Sequence, residues 1–291
     1  MSRHLPGAGD AGARTEGPWP FVTLRSYTHL GRHLLWRARQ SRKGLLPAER
    51  GQEGAATPLW QARGYNWLTG LFFSVGSLLF MLGATFSVMP PSGPWTPSGY
   101  VTSLVFFAGS IPFTTAGYMQ LFQAANAPEF REGPAGTTRR RGVSLIGWHP
   151  RSLGWLSAFA QFIGTVAFNF NTFDGIHPDP TWYEQDLAIW TPGLIGSILF
   201  LVSGYLAFIE TCHGYWAWRP RELDWWIVFV NLLGCVFFMT AGILAYVPSG
   251  AEPGWIAVAA NVHLWLGALG FLIGALLLMR ESAQAKPASD D

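Results

Sequence analysis

Charge is what this sequence has least of. Asp, Glu, Lys and Arg together make up 12% of its 291 residues, about half the share of an ordinary soluble domain. Hydrophobic residues reach 49%, which excludes disorder for most of the length. Cysteine is almost missing: Cys212 and Cys235 cannot build a disulfide framework, and neither sits at metal-ligand spacing. Walker, G-x-G-x-x-G, G-x-S-x-G, C-x-x-C and H-E-x-x-H patterns are absent as well. The expectation is a non-enzyme that uses no cofactor.

Long apolar runs are what the chain has in place of charge. Six stand out, at 67–90, 100–126, 153–173, 190–210, 225–248 and 254–279. Each supplies the roughly 20 residues a helix needs to cross a hydrocarbon core. They lack the polar stripes of soluble bundle helices and the alternating ~10-residue segments of a membrane barrel. The expected fold is an all-α integral membrane protein with six transmembrane helices.

Basic residues are missing from three of the intervening loops, 91–99, 174–189 and 249–253, where Asp174, Asp179, Glu184, Asp186 and Glu252 lie instead. All 19 Lys and Arg occupy the remaining non-apolar segments. The positive-inside rule then predicts a multi-pass plasma-membrane protein with both termini cytoplasmic. Trp67, Trp155, Trp225 and Trp226 fall at the expected inner interface, and Trp95, Trp182, Trp190 and Trp255 at the outer one.

Ahead of the first run, residues 1–20 are rich in Gly, Pro and Ala and are expected to be disordered; no signal-peptide pattern suggests cleavage. Over 22–40, Leu24, Tyr27, Leu34, Leu35 and Ala38 share one helical face, with Arg25, Arg32, Arg37 and Arg39 on or beside the other. This reads as a basic amphipathic helix on anionic lipids, or as a solvated topology signal.

The chain also repeats itself. Trp67, Trp155 and Trp225 are each preceded by a Trp seven residues earlier (Trp60, Trp148, Trp218) and an Arg four residues earlier (Arg63, Arg151, Arg221). Each is followed by a Gly nine residues on (Gly76, Gly164, Gly234), a Phe at thirteen (Phe80, Phe168, Phe238) and a Pro at twenty-three (Pro90, Pro178, Pro248). The second half of each unit carries Gly109, Gly196 or Gly267 with Phe113, Phe200 or Phe271 four residues later. The Trp and Arg read as interface anchors, and the Gly as close-packing positions between helices. The Pro reads as a helix end.

These offsets divide the chain into a cytoplasmic N-terminal segment (1–59), hairpin repeats at 60–126, 148–210 and 218–280, cytoplasmic linkers at 127–147 and 211–217, and a tail at 281–291. All three hairpins start on the same side. They are parallel repeats, arranged about a pseudo-threefold axis or in a linear row. The unit resembles the YrhK-like domain, a two-helix bacterial membrane module. The resemblance covers about 60–125, 148–210 and 218–280 and implies a multi-pass membrane protein without known catalytic or ligand residues. Gly83 gives way to Asn171 and Ala241 in the other copies, so the units are not identical.

Polar groups inside spans are costly and are functional or structural. Gln161, Asn171 and Asn231 lie on the repeated packing face, and Asn261 and His263 stand six and four residues before Gly267. Two readings follow: a polar site at the junction of the hairpins, or interhelical hydrogen bonds of ~0.6–2 kcal/mol each. Glu210 and His213 share a helical face at the i, i+3 spacing of bundle metal sites, but without a second motif they read as an interfacial polar pair. The loop holding Asp174, His177, Asp179, Glu184 and Asp186 could gather cations, or simply obey the topology rule. Arg139-Arg140-Arg141 is read as a topology determinant and not as a nucleic-acid site. The functional expectation is a non-enzymatic structural, sensing or interaction module; the alternative is a small-solute or ion transporter or channel. The bilayer is the expected partner, and a homo-oligomer or another membrane protein is left open.

Overall fold

A computed structural model of the chain describes residues 14–29, 32–46, 58–90, 93, 95–128, 130, 142–178, 181–250 and 253–285. Residues 1–13, Arg139-Arg140-Arg141, Asp179 and Glu252, on which expectations were placed above, lie outside them.

Six long helices carry the structure: α2 (Arg63–Val88), α3 (Gly99–Ala125), α4 (Leu153–Asp174), α5 (Trp182–Cys212), α6 (Leu223–Leu244) and α7 (Gly254–Gln284). Five of them, all but α3, are long and apolar enough to cross a membrane. Helix α3 is equally long, but Pro112 and a series of hydroxyl and amide side chains dilute its apolar character.

Local chemistry sets the helix boundaries. Ser98 and Ser152 cap the starts of α3 and α4 by accepting from the Val101 and Trp155 amides. Intramembrane hydroxyls are largely satisfied within their own helices, as in Ser77 to Phe73 O (2.8 Å), Thr172 to Phe168 O (2.8 Å) and Ser197 to Gly193 O (2.9 Å). Such bonds remove the cost of an unpaired donor away from water. Helix α5 begins irregularly, with a π-helical turn at Asp186–Trp190.

Each long helix packs on the next one in the sequence, and α7 packs on α2, closing a ring. The glycines that recur in the sequence meet in pairs within each hairpin. A Cβ on Gly76 would lie 2.9 Å from Gly109 O, one on Gly164 3.2 Å from Gly196 O, and one on Gly234 2.9 Å from Gly267 O. The approaches are reciprocal, at 3.3, 3.1 and 3.1 Å. These backbones touch where a side chain would hold them apart.

The recurring phenylalanines meet at the centre. Phe80, Phe113, Phe168, Phe200, Phe238 and Phe271, one from each helix, are all buried in one cluster. Their rings contact around and across it: Phe80–Phe113 at 5.5 Å, Phe168–Phe200 at 5.0 Å, Phe238–Phe271 at 5.1 Å, Phe80–Phe238 at 6.0 Å and Phe200–Phe271 at 5.7 Å. Centroid separations of this size are the favourable range for aromatic pairs.

The N-terminal segment departs from the expected amphipathic helix. Strands β1 (Arg14–Glu16), β2 (Leu24–His29) and β3 (Arg32–Arg37) form an antiparallel sheet in the order β1-β2-β3, so residues 14–16 are not part of a disordered lead either. In the β2–β3 register, Arg25 opposes Trp36 and Tyr27 opposes Leu34. This places all four on one face at period two. Phe130 lies on that face, 5.4 Å from both the Tyr27 and Trp36 rings and 4.4 Å from the Arg25 guanidinium carbon. A contact 100 residues away in sequence thus selects the strand pattern over the helical one. Only five residues, α1 (Ala38–Arg42), are helical here.

Candidate functional site

Helix α1 and the residues after it form a strap across one end of the ring, the end where α2, α4 and α6 begin. The strap is pinned by its backbone. Asn66 donates to Lys43 O (3.0 Å) and Gln61 to Ser41 O (3.1 Å). Gly44 adopts φ +64, and a Cβ there would lie 2.7 Å from Gln61 O. Gln123 in turn donates to the Asn66 side-chain oxygen (3.0 Å) and to Trp60 O.

Three strap cations point into the ring. Arg39 reaches Glu281 of α7 through two bonds of 2.6 and 3.0 Å, and Lys43 meets the same carboxylate at 3.3 Å. Arg42 holds Glu210 of α5 through two bonds of 2.6 and 2.9 Å. All are largely withdrawn from solvent: Arg39 is 5% exposed, Lys43 7% and Glu210 1%. The local logic is electrostatic. Glu210 and Glu281 stand in the last turns of α5 and α7, where the helix dipole disfavours a carboxylate, and a bidentate guanidinium offsets that cost. Burial, followed by the neighbouring Arg39, lowers the Lys43 pKa to about 7 against the pull of Glu281. A Cβ on Gly154 would overlap Arg42 Nη1 and lie 2.8 Å from Glu210 Oε1, so the Arg42 site exists because residue 154 lacks a side chain.

Beneath the strap is a cavity of about 100 Å3. Its polar lining includes Gln120 of α3, Gln161 and Ser157 of α4, Ser203 of α5 and Asn231 of α6. Phe73 and Phe271 floor it, both members of the aromatic cluster that fills the ring centre. Ser157 and Ser203 bond each other and each other's carbonyls. Gln161, 9% exposed, has no hydrogen-bond partner among the described residues. The only bond that Asn231 makes among them is a 4.0 Å contact from Nδ2 to Cys235 Sγ. Buried amides normally find partners.

Two of the five intramembrane polar residues singled out in the sequence, Gln161 and Asn231, are therefore brought together, and three are not. Asn171 donates to Ile189 O (2.8 Å) at the start of α5, Asn261 to Ala257 O (3.0 Å), and His263 Nδ1 lies 2.8 Å from Ala259 O beside the Phe237 ring. None of these three lines the cavity.

The expected anchors also separate. Trp67 is 41% exposed, but Trp155 and Trp225 are buried. Their indole N–H groups donate to Ile146 O and Ala217 O, both at 2.9 Å, and their rings stack on Phe159 and Phe229. Phe stands four residues after each buried Trp, whereas Leu71 follows Trp67. Arg63 donates to Ser282 O (3.1 Å) and Ala283 O, capping the end of α7, while Arg151 and Arg221 are exposed. The Glu210–His213 pair does not form: Glu210 belongs to Arg42, and His213, in the left-handed region at φ 56, places Nδ1 2.9 Å from Thr23 Oγ1. Burial, reinforced by Arg219 and Arg37, lowers the His213 pKa to about 4. In the 174–189 loop, Asp186 accepts from the Val247 amide (3.1 Å). No metal-binding group of three His, Cys, Asp or Glu occurs among the described residues.

The sequence reading missed Arg39, Arg42, Lys43 and Glu281 as members of a site. A signal was there: two carboxylates, each in the last turn of an apolar helix, oppose the dipole and require cations.

Comparison with protein-family models, with curated proteins and with solved structures finds no match, so the likeness to the YrhK-like domain rests on the motif residues alone.

Proposed function

We propose that the chain is a non-enzymatic bacterial membrane module of six spans that binds a small polar solute in its strapped chamber. It carries the strap at the cytoplasmic face and acts as a sensor. The observation behind this is Gln161, an intramembrane amide with no hydrogen-bond partner among the described residues, beside a cavity that six helices and the strap enclose. If Gln161 served only to hold helices together, its amide would be paired, as those of Asn66 and Gln123 are. Paired glycines and phenylalanines at equivalent positions in three hairpins support a pseudo-threefold arrangement. They also support counting α3 among the spans, because it contributes Gly109 and Phe113 as its counterparts contribute theirs. Topology rests on the asymmetry of Lys and Arg between the loops.

Transport is the second reading. The aromatic cluster is what separates the chamber from the far end of the ring, so a solute would have to pass it. A chamber closed off from the far end by that cluster favours sensing.

The test is cysteine accessibility. Gln161→Cys is introduced together with Cys212→Ala and Cys235→Ala, and the full chain in nanodiscs is treated with small charged methanethiosulfonates. Labelling is expected, and faster by at least tenfold when Glu210→Gln and Glu281→Gln loosen the strap. No labelling in either form would make the chamber a closed structural core.

A further inference from the structure

The lining of the chamber narrows the class of solute. We propose that the chamber is a binding site for a small oxyanion, held between the Lys43 ammonium of the strap and the side-chain amides of Gln161 and Asn231. This rests on the chamber being a solute site, as argued above, and adds the sign and chemistry of the solute.

Counting charge gives the first reason. Arg39, Arg42 and Lys43 are bonded by two carboxylates, Glu210, which lines the chamber, and Glu281 behind it; Asp224 of α6 adds its field at Arg39 but bonds none of the three among the described residues. Both oxygens of Glu210 are taken by Arg42, and both oxygens of Glu281 by Arg39. Lys43 is left with one long contact of 3.3 Å to an oxygen that already accepts from Arg39. Protonated Lys43 is therefore a cation with no carboxylate oxygen of its own in an almost fully buried setting, a costly arrangement unless a counter-charge is supplied. A bound anion would supply it, and a cation would worsen it.

The second reason is the inventory of donors. An ammonium has three N–H donors and no acceptor, and Glu281 takes one of them. Gln161 offers two more, and Asn231 two that meet no oxygen among the described residues. An ionised carboxylate offers acceptors only, and inorganic phosphate mostly acceptors, so both match this set. The carboxylate oxygens of Glu210 and Glu281 are already occupied by guanidinium groups, which leaves the amide oxygens of Gln161 and Asn231 as neutral acceptors and no free anionic one for a hydroxyl solute.

Size is the third reason. A water requires about 10–15 Å3 of such space, and about 150 Å3 holds a benzene. A cavity of about 100 Å3 takes a solute of a few non-hydrogen atoms. Because every helix packs on both its neighbours, the solute must be free in solution and not the headgroup of a lipid whose chains lie outside the ring.

The full chain in detergent micelles is titrated calorimetrically with acetate, inorganic phosphate and acetamide, the last being the uncharged isostere of acetate. Saturable binding of acetate or phosphate is expected, with acetamide at least tenfold weaker. Lys43→Gln should weaken the anion at least tenfold, Lys43→Arg should retain it, and Gln161→Leu, which removes the amide donors and leaves an apolar group in their place, should weaken it at least tenfold as well. Acetamide binding as tightly as acetate would overturn the anion inference and leave the chamber standing as a solute site. If neither anion binds while Gln161→Cys still reacts with the thiosulfonates, the inference fails alone. If neither anion binds and Gln161→Cys does not react, the reading of the chamber fails with it.

Discussion

Arg42 and Glu210 stand 168 residues apart in the chain and meet face to face, guanidinium nitrogens on carboxylate oxygens at 2.6 and 2.9 Å. The pair joins the N-terminal strap to the end of α5, and it can form because Gly154, on the neighbouring α4, leaves room for the guanidinium. A residue of the segment ahead of the first apolar run has thereby become part of the bundle interior.

Breaking either strap pair leaves a buried cation without its partner, a loss of about 3–5 kcal/mol. Glu281→Gln should be the more damaging change, because Glu281 serves both Arg39 and Lys43. Thermal unfolding in detergent micelles checks this. Arg42→Met combined with Glu210→Leu should recover most of the stability lost by Glu210→Gln alone, since paired apolar replacements remove the need for compensation.

Gly154→Ala should expel Arg42 from Glu210 while leaving the charges in the chain unchanged. The added methyl overlaps the guanidinium, which has to break both its bonds to move aside. The expected outcome is faster limited proteolysis of the segment before residue 60, with the helical content by circular dichroism unchanged. A protease-resistant strap in this variant would show that the pair does not hold it.

Lys43 makes stability depend on pH in a definite direction. Its folded pKa of about 7 lies below the ordinary 10.5, so between those values the unfolded chain binds a proton that the folded chain does not. Stability therefore rises with pH across this window, and below pH 7 the cost of burying the charge is present in full. The groups facing Lys43 are Arg39 and Arg42 of the strap, Glu281 of α7 and, beside Arg42, Glu210 of α5. Lys43→Met removes the titration. Its melting temperature should exceed that of the wild type most at pH 6.5, by the equivalent of a few kcal/mol, and the gap should close towards pH 10.

Phe238 touches four other members of the central cluster. Phe238→Ala should destabilise by about 3–5 kcal/mol, the cost of a large aromatic cavity that the ring can only partly collapse. Gly267→Ala should cost stability through overlap and not through a cavity, because its methyl runs into the Phe238 ring and lies 3.1 Å from Gly234 O. If Phe238→Ala and Gly267→Ala are combined, the loss should be smaller than the sum of the two, measured by the same unfolding assay.

The helices, and the glycines and phenylalanines that meet between them, were legible because lipid and close packing impose simple rules on residue type and spacing. Gly76 and Phe80 carry their meaning in their offsets. The chamber was half legible: Gln161 and Asn231 share an inward face at helical period, but nothing local tells an amide that bonds a neighbour, such as Asn171 on Ile189 O, from one that does not. The strap was not legible. Leu24 to Ala38 satisfy a helical face and a strand face about equally well, and the choice is made by Phe130, which no window of local sequence contains. Trp155 and Trp225 look like membrane-interface residues until the carbonyls of Ile146 and Ala217 are found waiting for their N–H groups.

The seam between α2 and α7 has a consequence for how the molecule comes into being. Chains are made from the N-terminus onward, so the strap leaves the ribosome well before Glu281 does. Until α7 is in place, Arg39 and Lys43 have no carboxylate on it, Phe113 and Phe200 lack Phe271, and Gly70 has no Met279 to pack against. Assembly therefore passes through an open crescent in which the strap holds its contacts to α2 and α5 but Arg39 and Lys43 still lack Glu281. The Arg39–Glu281 pair can form only once α7 is in place, which makes this one clasp of the strap a report that the circle is complete.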